Sequence, residues 1–435
     1  MIDVRAMGAL RREIGLPGAT MMGLGSMVGT GVFVSIGIAA GVAGPAVLLA
    51  IALAAVVATC NALSSAQLAA AKPVSGGTYE YGYAYLTPWL GFSAGWMFLC
   101  AKSASAATAA LGFAGYLMHA AGIEGFVVPG AVMAAAVLTA IVLAGIRASN
   151  RVNAVIVSVT VLSLTFFVLA GLFSLPTDWR EHWTPFWQPT EQSNAGAVGD
   201  FLQATALMFV AFTGYARIAT LGEEVHDPRH TIPKAIIATL IVSALLYISV
   251  GAVGIAAIGA ERMAGAAQTE VAPLQVAAAT FAAPGALAVI TAGAVTAMLS
   301  VLLNLILGLS RMLLAMGRRG DMPGRLAFIS PSGSPSAAII VVGIAIGALT
   351  LLGDVKLTWS FSAFTVLIYY AITNLAALRL PREQRMYSPL FAWGGLASCL
   401  FLAFWVEWQV WLAGLGLIAL GLVWHGVAAR LRAPA

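Results

Sequence analysis

The longest apolar run of the chain, from Ile14 to Ala71, contains 58 residues and no charged side chain. Because one helical crossing of a bilayer takes roughly 20 residues, a run of this length must cross about twice. Its first half holds four glycines between Gly23 and Gly31, and each glycine destabilises a helix by roughly 1 kcal/mol relative to alanine. Unwound backbone survives at membrane depth only where protein or a water-filled cavity surrounds it. The sequence therefore predicts an interrupted crossing whose freed N–H and C=O groups are able to hold a polar solute.

Composition agrees with a membrane location. Sixty per cent of the 435 residues are hydrophobic and 9% are charged, whereas soluble domains carry about 25% charged residues. The formal net charge of +5 does not indicate a nucleic-acid partner, because the basic residues lie in short loops beside apolar runs, where they set orientation. The three cysteines lie inside apolar segments and indicate no disulfide framework. These features predict a polytopic protein whose main partner is the lipid bilayer.

Apolar windows with few or no charges recur along the chain and predict twelve membrane spans. They lie near residues 16–40, 46–71, 90–117, 126–146, 152–173, 200–222, 235–258, 285–312, 336–353, 357–378, 389–407 and 408–429. Most basic residues outside the spans fall on one side, and only Arg180, Arg262 and Lys356 fall on the other. By the positive-inside rule, this asymmetry predicts a multi-pass protein of the plasma (inner) membrane with both termini cytoplasmic.

A second interruption is predicted in the sixth span. Apolar helical sequence runs to Phe212, then Thr213 and Gly214 interrupt it, and Arg217 follows. Interrupted segments five spans apart are typical of transporters with inverted repeats, in which the binding site lies between the two halves. The alternative is that these glycines only let neighbouring helices pack closely. The matching break in two spans favours a binding site.

Four stretches of the sequence, taken in order, carry a family signature. They are Gly25-Ser-Met-Val-Gly-Thr-Gly-Val-Phe-Val34, Pro73-Val-Ser-Gly-Gly-Thr-Tyr79, Phe212-Thr-Gly-Tyr215 followed by Gly222-Glu-Glu-Val-His-Asp-Pro-Arg-His-Thr-Ile-Pro-Lys-Ala235, and Gly308-Leu-Ser-Arg-Met312 with Gly320-Asp-Met-Pro323. Any one of them alone would be weak, whereas four in order are specific. Through them, about residues 10–385 resemble the amino acid–polyamine–organocation (APC) superfamily of permeases.

The resemblance implies an all-α integral membrane fold of the LeuT type with twelve transmembrane helices. Within one permease domain spanning 1–435, residues 14–173 would form a first repeat of five spans. Residues 199–380 would repeat it with inverted topology, and residues 389–430 would add two helices. Spans 1 and 6 are expected to be unwound. The family also implies transport by alternating access.

The first break is predicted to bind an amino acid through its backbone. Exposed N–H groups around Gly29, Thr30 and Gly31 are suited to the substrate carboxylate, because the N-terminal end of a half-helix carries partial positive charge. Carbonyls of Ser26 and Met27, and those near the end of the sixth span's first half, are suited to the ammonium.

The second break is predicted to supply side chains to the same site. Thr213 and Tyr215, on either side of Gly214, are expected to line the pocket. Phe209 and Phe212 are candidates for an outer aromatic gate. For each aromatic side chain, ordinary packing explains the position as well as gating does.

Two departures from the family pattern concern coupling. Proton-coupled relatives carry a lysine in the fifth span, and the corresponding place here falls at or near Thr160, which is unable to take up a proton. Lys102 instead lies in the middle of the third span, and an ionisable residue at this depth is a functional candidate by default. We hypothesise that Lys102 carries the charge that alternates during transport. The alternatives are a structural salt bridge and snorkelling of the lysine to the interface.

Other polar residues of the spans leave several interpretations open. Arg217 is able to face the substrate, to pair with Glu223 or Glu224, or to close the cytoplasmic gate. The two glutamates themselves are expected to stabilise that gate. On family alignment, Thr296 and Ser300 place hydroxyls at the position where sodium-coupled relatives bind their ion, which is called the sodium-like position here. Helix packing within the membrane explains the presence of these hydroxyls nearly as well.

No enzyme constellation competes with transport. The histidines have no metal-ligand spacing within a span and no nucleotide motif is present, so neither a metal nor a cofactor is expected. The spans contain no central carboxylate, which argues against a cationic substrate. We therefore predict a secondary active transporter of neutral or acidic amino acids, with proton-coupled symport favoured. An exchanger or a sodium-coupled symporter is the alternative, and a non-transporting amino acid receptor is less favoured.

Overall fold

A computed structural model describes residues 14–72, 76–145, 150–187, 196–219, 225–269, 271–330 and 334–432. These ranges are α-helical and contain no β-strand; one isolated bridge pairs Ile14 with Val225. In chain order the helices are α1 (Leu16–Met27), α2 (Thr30–Phe33), α3 (Ser35–Ala43), α4 (Val47–Ala71), α5 (Thr78–Tyr85), α6 (Pro88–Ala121), α7 (Val127–Leu143), α8 (Asn150–Leu172), α9 (Gly196–Phe212), α10 (Ala216–Ala219), α11 (Pro228–Ile258), α12 (Ala260–Thr269), α13 (Pro273–Ala278), α14 (Ala286–Arg319), α15 (Ser336–Thr350), α16 (Val355–Leu378), α17 (Pro389–Ala403) and α18 (Trp408–Arg432).

Eight helical segments of the described chain are long and apolar enough to cross a membrane. They are Ser35–Ala71, Pro88–Ala121, Val152–Leu172, Gly196–Ile218, Pro228–Ile258, Ala286–Arg319, Val355–Leu378 and Trp408–Arg430. Three further apolar helices, α7, α15 and α17, are shorter, with 17, 15 and 15 residues. The prediction of an all-helical multi-pass membrane protein is confirmed, and the count of twelve crossings stays a prediction.

Proline and glycine mark the ends of several of these helices. Pro88 and Pro228 stand in the first turn of α6 and α11, where the missing proline N–H would have no helical acceptor. Gly122 and Gly320 end α6 and α14 in the left-handed region, with φ of 66° and 79°. Such a glycine lets the chain turn away from the last helical carbonyls without steric cost.

Helix α6 packs between α14 and α16 in the interior of the bundle. Its alanines from Ala104 to Ala110 are at most 1% exposed, and small residues of this kind let helices approach closely in membranes. Hydroxyl pairs join α6 to α16, with Ser105 and Ser362 oxygens 2.7 Å apart and those of Thr108 and Thr358 2.9 Å apart. This packing fixes the face of α6 that carries Lys102.

The short helix α5 is tied to the end of α14. The hydroxyls of Tyr79 and Tyr83 donate to Asp321 Oδ2 at 2.6 and 2.7 Å. Arg319 donates to both carboxylate oxygens of Glu80, at 2.7 and 2.6 Å. Because bidentate pairs of this kind are geometrically specific, α5 is held in one position beside the larger of the two cavities described below.

Candidate substrate site

The first predicted span is divided into three helices. α1 ends at Met27, and Val28 and Gly29 take non-helical backbone angles before the single turn of α2. Val34 interrupts the helix again before α3 begins. Because a helix start leaves its first N–H groups without helical acceptors, the N–H groups predicted to hold a carboxylate do lie at a helix start.

The glycines of this break are in close contact with neighbouring helices. A Cβ added to Gly29 would lie 2.6 Å from Val301 Cγ2, and one added to Gly31 would lie 2.6 Å from Ala211 Cβ. Both distances are shorter than a normal van der Waals contact, so no side chain fits there without movement of a neighbour. Close packing therefore favours glycine at both positions of this break.

The sixth predicted span is interrupted where the sequence indicates. α9 ends at Phe212, a 3₁₀ turn covers Thr213–Tyr215, and α10 follows. A Cβ on Gly214 would overlap the Ser26 carbonyl oxygen. The two breaks therefore lie directly against each other, with glycine allowing the contact.

Tyr247 of α11 joins the two breaks and was not predicted from the sequence. Its hydroxyl lies 2.8 Å from the Met27 carbonyl oxygen and 3.2 Å from that of Ala211, and its one proton is shared between these two acceptors. The side chain is fully buried. A buried tyrosine usually finds a partner for its hydroxyl, so the isolated Tyr247 within an apolar span was the available signal.

Lys102 reaches the second break. Its Nζ donates to Thr213 Oγ1 at 2.8 Å, and the Thr213 hydroxyl in turn donates to the Val210 carbonyl at 2.7 Å. Among the described residues, no ion pair joins Lys102 to a carboxylate. The salt-bridge alternative is therefore not supported within this part of the chain.

A small cavity of about 50 Å³ lies between the two breaks. Its polar wall comprises the side chains of Ser26, Thr30, Lys102, Ser105 and Thr213, and its apolar wall those of Val210, Val301, Leu305 and Trp359. The backbone at Met27, Gly31 and Ala211 completes it. The hydroxyl oxygen of Thr30 is buried and has no hydrogen-bond partner in the described structure.

A larger cavity of about 260 Å³ shares Ser26, Lys102 and Thr213 with the small one. It extends past Arg217 of α10 and Arg311 of α14 towards the start of α5. Within the described residues, no acidic side chain lines either cavity. Lys102 therefore lines both the small cavity and the larger, basic one.

The predicted aromatic residues form a second layer behind the small cavity. Phe209 and Tyr215 pack on Tyr370 with ring centroids 5.6 and 5.5 Å apart, and Phe212 packs on Tyr247 at 5.1 Å. None of the three predicted residues lines either cavity in this structure. The gating role of Phe209 and Phe212, and the binding role of Tyr215, stay predictions.

The hydroxyl residues named as coupling candidates, namely Thr160 at the place of the missing lysine and Thr296 and Ser300 at the sodium-like position, are bonded within their own helices. Thr160 donates to the Ile156 carbonyl at 2.9 Å, and Thr296 donates to the Ala292 carbonyl at 2.6 Å. Ser300 Oγ accepts from the Asn304 amide at 3.5 Å. Hydrogen bonds of this kind occur both in hydroxyls that only pack within the membrane and in hydroxyls that also bind an ion.

Arg217 lines the larger cavity. Glu223 and Glu224 lie outside the described residues, so the predicted pairing of Arg217 with either glutamate, and their role at the gate, stay predictions. Trp359, Val301 and Leu305 line the small cavity and were not predicted. Their apolar side chains match so many others in the spans that only the tertiary contact distinguishes them.

Comparison with known proteins agrees with this architecture. The sequence profile of the Amino acid permease family matches residues 18–428. The chain belongs to the amino acid permease family. The predicted membership of the APC superfamily is thereby confirmed, as is the prediction that the permease is not an enzyme.

The permease resembles several curated proteins along most of its length. It is 41% identical to an uncharacterized transporter of Mycobacterium tuberculosis over 96% of this chain and 91% of the relative. It is 30% identical to the branched-chain amino acid permease BcaP of Bacillus subtilis, over 97% of this chain and 94% of the relative. It is 28% identical to the human cationic amino acid transporter 4, over 88% of this chain and 62% of the relative.

Proposed function

We propose that the permease moves neutral or acidic amino acids across the plasma membrane by alternating access. The observation that carries this proposal is the small cavity lined by residues of both helix breaks and by Lys102, which donates to Thr213 of the second break. Freed backbone groups at such breaks bind the polar ends of transported solutes in inverted-repeat transporters. Twelve crossings, arranged as two inverted repeats of five spans plus two helices, form the framework of the proposal.

The substrate would lie across the first break. Its carboxylate would approach the N–H groups around Gly29, Thr30 and Gly31, where the helix start favours negative charge. The Ser26 carbonyl would remain open to the ammonium, since no donor to it is recorded among the described residues. The second break, at Thr213 and its neighbours, would close the opposite wall.

The exclusion of cationic substrates follows from the charges of the site. No acidic side chain among the described residues lines either cavity, whereas Lys102 lines both. The name of BcaP refers to branched-chain, neutral substrates, which supports the proposal. The name of the human relative refers to cationic substrates, and a site lined by lysine, with no carboxylate among its described residues, argues against that specificity here.

The larger cavity supports an inward-facing state. It runs from Lys102 towards α5 and the last turns of α14, the side that the basic residues predict to be cytoplasmic. In the other state, we propose that the substrate reaches the same site from outside. Lys102 would alternate between a charged and a neutral form, because burial disfavours an unpaired ammonium, and would thereby couple transport to protons.

Binding is tested by a thermal-shift screen of the purified protein against the amino acids, because a ligand of the folded state raises apparent stability by mass action. Uptake by proteoliposomes with an imposed proton gradient, then with a sodium gradient, tests coupling. Competition by arginine, lysine or putrescine that exceeds competition by neutral and acidic amino acids would refute the proposed specificity. Uptake that requires substrate preloaded inside would favour the exchanger.

A further inference from the structure

The small cavity contains hydrogen-bond donors that the protein does not use fully. Lys102 Nζ carries three protons, and one of them is donated to Thr213 Oγ1 at 2.8 Å. The Thr30 side chain is 4% exposed, and its hydroxyl has no partner among the described residues. Both groups line the same cavity. A ligand that accepts hydrogen bonds and carries negative charge satisfies both.

The acceptors around this cavity are, in contrast, mostly engaged. The Tyr247 hydroxyl shares its one proton between the carbonyls of Met27 and Ala211, at 2.8 and 3.2 Å. The Thr213 hydroxyl donates to the Val210 carbonyl at 2.7 Å. A carbonyl oxygen has a second lone pair, but these three are already oriented towards protein donors. The cavity therefore offers more to an anion than to a cation.

The Ser26 carbonyl is the exception among the acceptors. It lies against Gly214, and no hydrogen bond to it is recorded in the described structure. A neutral carbonyl accepts a hydrogen bond from a hydroxyl as well as from an ammonium. Its presence therefore does not require a positive charge on the ligand.

We propose, as a refinement that rests on the proposed function, that the cavity requires the carboxylate of its substrate and does not require the ammonium, which a hydroxyl is able to replace. The substrate class is then the small 2-substituted carboxylates, which include α-amino acids and the 2-hydroxy acids of the same shape. The carboxylate binds Lys102 Nζ and Thr30 Oγ1. The Ser26 carbonyl accepts from the ammonium of an amino acid or from the hydroxyl of a hydroxy acid.

The positive charge of Lys102 explains why the carboxylate should contribute more to binding than the ammonium. Like charges repel as the inverse of their separation, and low dielectric strengthens the repulsion. In a cavity of about 50 Å³, a substrate ammonium stays close to the lysine. A hydroxy acid keeps the attraction of its carboxylate and loses this repulsion, whereas an amide of the amino acid keeps the repulsion and loses the attraction.

The experiment measures binding of three matched compounds to the purified full chain by thermal shift. The amino acid with the largest shift in the screen defines the set; for alanine, the set is L-alanine, L-lactate and L-alaninamide. We expect the hydroxy acid to bind within about threefold of the amino acid. We expect the amide to bind at least about tenfold more weakly, the factor for one lost hydrogen bond to a charged group.

Two variants assign the effect to this cavity. Thr30→Val keeps the shape of the side chain, removes the unpartnered hydroxyl, and should weaken both acids about tenfold and the amide less, because a hydrogen bond to a neutral acceptor is weaker than one to a carboxylate. Lys102→Met should weaken both acids and reduce their advantage over the amide. Lys356→Met is the matched control, because Lys356 pairs with Glu407 at 3.2 Å and lines neither cavity; it should change none of the three affinities.

The outcomes separate this inference from the proposed function. An amino acid that binds while its hydroxy acid does not would show that the ammonium is essential, and would overturn the inference alone. An amide that binds as tightly as the amino acid would overturn it as well. If no amino acid and no hydroxy acid binds, the proposed function fails, and the inference fails with it.

Discussion

The two helix breaks that meet at the cavity are stabilised in different ways. At the first break, glycine backbone lies against Val301 and Ala211 at distances that leave no room for a Cβ, and the Thr30 hydroxyl is left without a partner in the described structure. At the second, side chains of other helices bond the broken turn: Lys102 to the Thr213 hydroxyl, and Tyr370 to the Thr213 carbonyl at 3.2 Å.

This difference indicates a division of roles. Close packing against Val301 and Ala211 constrains the first break, Tyr247 adds one hydrogen bond to its Met27 carbonyl, and the Thr30 hydroxyl stays available to a ligand. Hydrogen bonds hold the second break and use its polar groups within the protein. The first break should therefore be sensitive to added volume, and the second to the loss of donors. The predictions below test this comparison, beginning with the largest expected effect.

The largest effect is expected from added volume at the first break. Gly31→Val places a side chain where a Cβ already lies 2.6 Å from Ala211 Cβ. Overpacking costs about 1–3 kcal/mol, and relief by separation of the breaks would open the site. We expect uptake by proteoliposomes to fall at least tenfold, roughly the factor that 1.4 kcal/mol gives, while the protein is still inserted.

Gly347→Val is the matched control, because a Cβ there would have no neighbour within 4 Å. It should leave uptake near the wild-type level. Wild-type uptake by a folded Gly31→Val protein would contradict both the site and the packing explanation of the first break.

The next effect concerns the charge at the second break. Lys102→Met keeps much of the side-chain volume and removes the donor to Thr213 Oγ1. If Lys102 carries the alternating charge, accumulation driven by a pH gradient should be lost, whereas some exchange of substrate should persist. Parallel measurements of accumulation and exchange in proteoliposomes check this, with Lys356→Met as the charge-removal control.

If the charge of Lys102 stays fixed during transport, the opposite result is expected. In that case the Met variant should lose stability but retain the dependence of accumulation on the pH gradient. Sodium-dependent, pH-independent accumulation that survives the substitution would eliminate Lys102 as the coupling element.

A smaller effect is expected where one side chain serves both breaks. Tyr247→Phe removes the hydroxyl that donates to the Met27 and Ala211 carbonyls and adds no volume. Leaving buried acceptors without that donor should lower the free energy of unfolding by about 1–3 kcal/mol. Thermal unfolding of the purified variant measures the loss.

Tyr387→Phe provides the comparison for this variant, since no hydrogen bond of the Tyr387 hydroxyl is recorded in the described structure. A melting temperature for Tyr247→Phe equal to that of Tyr387→Phe would mean that the shared hydroxyl does not hold the breaks together.

The sequence predicted the breaks because their cause is local. Glycines at 29 and 31, and the Thr213–Gly214 pair, interrupt apolar runs, and helix propensity alone marks such positions. The family signature likewise consists of short stretches of sequence, and the match of the family profile over residues 18–428 confirms the family membership that it predicted. The helices themselves depart from the predicted spans mainly at their ends: the predicted 285–312 became Ala286–Arg319, which ends at the left-handed Gly320.

The sequence did not predict which side chains converge at the breaks. Tyr247 and Trp359 lie 36 and 148 positions from Ala211 in the chain, and only the packing of α11 and α16 brings them to the site. Lys102 was predicted to be functional, but its contact with Thr213 depends on how α6 faces the second break. Non-local contacts of this kind leave no periodic trace in a single sequence.

The smallest effect is expected at the back of the first break, where α14 carries the hydroxyls of the sodium-like position. Thr296 already donates to the Ala292 carbonyl at 2.6 Å and lies 3.2 Å from that of Gly293. A hydroxyl donating within its own helix is still able to offer a lone pair to an ion. If coupling depends on Lys102, then Thr296→Val, which preserves shape, should change proton-driven uptake less than about twofold, as expected for a substitution that removes only a local bond.

Uptake by the Thr296→Val variant is measured under a proton gradient and under a sodium gradient, and Ser300→Ala is measured beside it. A sodium-driven component that is present in the wild type and absent from both variants would assign the coupling ion to α14, and would show that the first break serves an ion as well as the substrate.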